Sequence, residues 1–109
     1  MAWLYLLIAG LFEIGFTTFL KLSENFTRIL PTITFLALAV LSFLSLSMSI
    51  KTLPLGTAYA IWTGIGAFGT ALIGIFYFGE STDFWRVFFL FCLIVSIIGL
   101  KIVSTSDVG

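Results

Sequence analysis

Glu13 lies in the run Trp3-Leu4-Tyr5-Leu6-Leu7-Ile8-Ala9-Gly10-Leu11-Phe12-Glu13-Ile14-Gly15-Phe16, which is otherwise apolar. An ionisable side chain at bilayer depth costs roughly 2.5–3.5 kcal/mol on insertion scales, so its presence there marks function. No other acidic residue falls in the hydrophobic parts of the chain, and there is no histidine. Glu13 is therefore the residue expected to bind a cation, to carry a proton, or both. Gly10, Glu13 and Thr17 stand at i, i+3 and i+7, on one helical face. Gly10 leaves room beside the carboxylate and Thr17 offers a hydroxyl near it.

Other residues repeat that spacing. Ser42, Ser45 and Ser49 form a second stripe. It reads either as a polar wall for Glu13 or a ligand, or as small-residue helix packing. Ser42, nearest mid-helix, best fits the first role. Tyr59, Trp62, Thr63, Gly66 and Thr70 share a face in a third segment. Aromatic walls with hydroxyls suit an organic cation. Tyr59, near a helix end, equally fits an interfacial aromatic belt. Gly64 and Gly66 would let that helix bend or pack closely. Cys92, Ser96 and Gly99 form a small-residue stripe suited to helix association. Trp3, Trp85 and Arg86 read as interface anchors, and Lys101 as a side chain that reaches for head groups.

These faces need helices in a membrane to carry them. The chain has 109 residues, 61% hydrophobic and 9% charged, with a mean hydropathy of +1.23. A water-facing surface normally takes about 25% charged residues. Runs of about 20 apolar residues are predicted to cross the bilayer over residues 2–20, 30–50, 57–78 and 84–103. Continuous apolar runs favour an all-α membrane fold over a closed barrel. The whole chain, 1–109, then makes a single transmembrane domain. Pro31 suits a helical first turn, and Pro54 and Gly56 punctuate the second connection. The N-terminal run has no basic residue ahead of it and no small-x-small site, so it is read as a retained span rather than a leader.

Net charge is zero without a basic run, which argues against nucleic acid as a partner. A single cysteine, Cys92, excludes an intrachain disulfide and a cysteine metal cluster. No cofactor or metal is expected, and nothing supplies the paired acid–base groups of an enzyme. Lys21, Arg28 and Arg86 lie in loops one and three, against Lys51 and Lys101 on the other side. So even a balance leaves insertion orientation undecided. Four short helices with one buried acid are thin material for enclosing a hydrated site. A homodimer would join two Glu13 carboxylates, and balanced topology would permit it to be antiparallel. Besides a transporter, a passive cation channel and an accessory membrane subunit fit these residues.

Ala9-Gly-Leu-Phe-Glu13, Phe26-Thr-Arg28 and Leu53-Pro-Leu-Gly-Thr-Ala-Tyr-Ala-Ile-Trp-Thr-Gly-Ile-Gly-Ala67 resemble the small multidrug resistance family. The resemblance covers nearly the whole chain and implies a proton-coupled exporter of organic cations in the inner membrane. It also implies an antiparallel homodimer with a shared site. In that reading Glu13 matches the essential carboxylate, Tyr59 and Trp62 the aromatic wall, and Gly64-Ile-Gly66 a helix kink. Trp62-Thr-Gly-Ile-Gly-Ala67, Ile98-Gly-Leu-Lys101 and Ser42 look like the branch that exports guanidinium-type ions. Phe16 departs from that branch, which usually has tryptophan there, and Thr17-Thr18 resembles the quaternary-ammonium branch. Guanidinyl compounds are the expected substrates, with quaternary ammoniums as the alternative.

Overall fold

The computed structural model describes residues 1–108. Its elements are α1 (Ala2–Leu22), α2 (Ile29–Ser49), α3 (Leu55–Phe76) and α4 (Phe84–Val108), with no strand among the described residues. All are long and apolar enough to span a membrane. In hydrocarbon each backbone N–H and C=O must be paired within its own segment, and a helix does this. The chain is thus all-α and multi-pass.

The helix ends differ from those read in the sequence, for local reasons. α1 runs on to Leu22, where the N–H of Ser23 closes the last turn on Phe19 O at 2.9 Å. Ser23 Oγ then donates to Leu20 O and accepts from the N–H of Phe26. Glu24, Asn25 and Phe26 turn the chain with φ of 48°, 64° and 67°. That left-handed region is costly for side-chain-bearing residues. α3 starts at Leu55, directly after Pro54, whose fixed φ (−59°) suits a helix entry. It ends at Phe76 rather than at residue 78, and Gly79 turns the chain at φ 69°. Asp83 Oδ1 accepts the N–H of Trp85 at 2.9 Å and caps α4. α4 continues to Val108, past the sequence-derived end at 103, so the polar stretch after residue 103 is helical. Gly109 lies outside the described residues.

α1 is central, packing on both α2 and α3, whereas α4 packs against α3. Leu6 and Ala9 of α1, Leu53 of the second loop, and Ala58, Ile61 and Trp62 of α3 form the buried core. None of the spanning stretch of α4 is buried. The protomer measures 46 × 35 × 16 Å. Since one helix with its side chains is about 10 Å across, this is a thin slab.

Candidate functional site

Glu13 projects from α1 onto α3. A methyl built on Gly66 would overlap its carboxyl group, so the carboxyl group keeps this place only against a glycine. Oε1 of Glu13 is buried and has no hydrogen-bond partner among the described residues. A buried acceptor without a donor is costly and seeks one. Gly10 serves the same contact one turn away, since a methyl on it would stand 2.6 Å from Ile65 Cγ2. Both glycines thus allow α1 and α3 to approach closely.

The hydroxyls expected to orient the carboxylate are used elsewhere. Ser42 Oγ donates to Ala9 O at 2.7 Å, and accepts from Trp62 Nε1–H at 3.0 Å. This buried chain of bonds ties α3 to α2 to α1. Thr17 Oγ1 lies 3.0 Å from Glu13 O, a backbone carbonyl, and 2.6 Å from Thr70 Oγ1. Thr63 Oγ1 donates back to Tyr59 O within its own helix at 2.9 Å. Hydroxyls in helices readily take their own backbone carbonyls, which side-chain spacing alone does not reveal.

The aromatic residues form a continuous set. Phe16 meets Phe35 edge-on at 5.9 Å and lies over Phe43 at 6.2 Å. Phe43 contacts Trp62 at 5.4 Å, and Trp62 contacts Tyr59 at 5.8 Å. Phe16 therefore belongs to the wall that leads to Trp62. Trp62 is buried, but Tyr59 is 56% exposed on this protomer. Phe35 and Phe43 were not singled out by sequence reasoning, because their contact with Phe16 depends on how α2 is set against α1.

The paired glycines separate. Gly66 faces Glu13, while a methyl on Gly64 would meet Ile97 and Leu93 of α4. α3 is helical straight through both. Ser96 is exposed, and a methyl on Gly99 would meet nothing within 4 Å, so neither packs within this protomer. No cluster of metal-ligating residues occurs among the described residues.

Known proteins resemble this chain over most of its length. The profile of the Small Multidrug Resistance protein family matches residues 1–94. A guanidinium exporter of Proteus vulgaris is 48% identical over 104 residues, 95% of this chain and 100% of its own length. One of Yersinia pestis is 47% identical over 104 residues, with the same coverage. One of Salmonella typhimurium is 47% identical over 102 residues, covering 94% of this chain and 97% of its own.

Proposed function

The chain belongs to the Small Multidrug Resistance protein family, and from that premise we propose that it exports guanidinium-type cations in exchange for protons. Its relatives carry the name guanidinium exporter over nearly their full length. One observation of the site carries the reading: a buried carboxylate oxygen of Glu13 lies against Gly66 with no donor of its own. A planar guanidinium supplies such donors, as in arginine–carboxylate pairs. A proton on the same carboxyl group removes the charge that holds the cation. Cation and proton therefore exclude one another, and a site that opens to one side at a time converts a proton gradient into export.

Trp62, held by Ser42, and Tyr59 would wall the substrate, and Phe16 would extend that wall. Thr17, Gly10 and Thr63 would shape its surroundings. The protomer is thin, and α4 has no buried residue in its spanning stretch. An antiparallel homodimer, joined in part through the Ser96–Gly99 face, would close the site around two Glu13 carboxylates. Purified protein in proteoliposomes, read by solid-supported membrane electrophysiology, is expected to give saturable guanidinium currents. Their half-saturation should rise as pH falls. Glu13→Gln should abolish them; proton-coupled export persisting in that variant would sink the reading.

Quaternary ammonium export is the second reading, favoured by the aromatic run from Phe35 through Phe16 and Phe43 to Trp62. Such ions have no hydrogen-bond donors and depend on charge and ring faces. Tetrapropylammonium current beside guanidinium current would establish a broad site.

A further inference from the structure

The face of α3 that carries Gly66 continues to Thr70 and Gly74, at i, i+4 and i+8. Gly74 repeats the feature seen at Gly66: a methyl on it would overlap the carboxyl group of Glu80. The N–H of Glu80 donates to Gly74 O at 2.9 Å, which fixes the acid above that glycine. Two carboxylates thus rest on glycines of one helix face, separated by a rise of about 12 Å. Between them Thr70 and Thr17 share a hydrogen bond of 2.6 Å. A cavity of about 330 Å³ runs along this face, lined among others by Thr17, Thr18, Thr70, Gly74, Glu80 and Arg86. Toward Glu13 it is lined by the threonine pair and by Ala67, the residue after Gly66. Exposed Lys21 and Glu80 mark its outer rim.

Glu80 is already engaged by a cation of the chain itself. Arg86 Nη2 donates to Glu80 Oε1 at 2.6 Å, so a guanidinium group sits on that acid. The other cation on the rim, Lys21, is held over the ring of Phe78 at 5.2 Å. Both members of the Arg86–Glu80 pair are partly exposed, at 33% and 42% of the side chain, so the pair exchanges with solvent readily.

We propose that Glu80 is an outer station for guanidinium cations on the way to or from Glu13, with the guanidinium of Arg86 as its tethered competitor. This rests on the guanidinium reading given above. A substrate cation displaces Arg86 from Glu80, and parting of the Thr17–Thr70 pair then opens the last turn to Glu13.

The test is a guanidinium concentration series in proteoliposomes for wild type, Glu80→Gln, Arg86→Gln and the double variant. Loss of the station should raise the half-saturation about three- to tenfold in Glu80→Gln, with Glu80→Asp restoring much of it. Loss of the competitor should lower it about threefold in Arg86→Gln, and the double variant should follow Glu80→Gln. Tetrapropylammonium, which has no donors, should shift less than guanidinium. A strut that merely holds the fold would move both single variants the same way, and that result overturns the proposal. So do unchanged half-saturations in variants that transport. Guanidinium transport absent from the wild type removes the premise as well, which separates that failure from this one. If Arg86→Gln does not assemble, binding decides. Tryptophan fluorescence of Glu13→Gln should still respond saturably to guanidinium, and the response should vanish in Glu13→Gln/Glu80→Gln. A response that survives the second substitution overturns the station.

Discussion

The contact between Glu13 and Gly66 puts a carboxyl group where any other residue on α3 would put a side chain. Gly66→Ala therefore drives the carboxyl group out of its place. The end of a flexible side chain gives way at little cost to the fold, so the effect falls on the site, where each ~1.4 kcal/mol is tenfold in an equilibrium. Guanidinium transport is expected to fall about tenfold or more, with dimer yield near wild type. Gly56→Ala is the control, because a methyl there meets nothing within 4 Å, and its currents should stay near wild type. Full transport by Gly66→Ala would show that the carboxyl group does not work from this position. Glu13 was legible in the sequence because a lone acid in an apolar run is conspicuous. Its seat on Gly66 was not, since a helix pair can meet at several registers with the same residues facing inward.

At the scale of elements, Ser42 joins α1, α2 and α3 by hydrogen bonds, through Ala9 O and Trp62 Nε1. Ser42→Ala leaves the indole N–H buried without that acceptor. The expected cost is about 1 kcal/mol, since hydrogen bonds inside membranes are worth roughly what they are in water. Thermal unfolding in detergent should show the loss, and Ser42→Thr should recover part of it. An unchanged midpoint in Ser42→Ala would mean that ring packing alone holds Trp62. Spacing placed Ser42 on an inward stripe and left its partner open between Glu13, a ligand and helix packing. The structure gives it to the helix contact. Ser49, on the same stripe, donates to Leu46 O within its own helix.

At the scale of the molecule, the protomer is a slab with a partly exposed aromatic wall and a fourth helix buried nowhere along its span. A shared site predicts a dosage effect. When wild-type and Glu13→Gln chains are co-expressed equally, random pairing leaves about one quarter of dimers with both acids. Should export require both, transport per chain should drop to about that fraction. Proportional loss, to about one half, would mean that each Glu13 works alone. Giving the two chains different tags, capturing one and probing for the other, would check that mixed pairs form.

Composition alone determined that this is a helical membrane protein. Its hydrophobic runs are too long and too poorly charged for any water-facing fold, and backbone pairing in lipid leaves few choices. Sequence also determined where a cation or proton would act, because burial makes a charged residue costly enough to stand out. Tertiary structure decided what each polar residue touches. Hydroxyls at Thr17, Ser42 and Thr63 turned to backbone carbonyls and neighbouring side chains, not to Oε1 of Glu13. It also separated Gly64 from Gly66, and matched Gly66 with Gly74 as seats for two acids. Such pairings depend on how far each helix is rotated and slid against its neighbour, and residue spacing along a single helix carries no information about that.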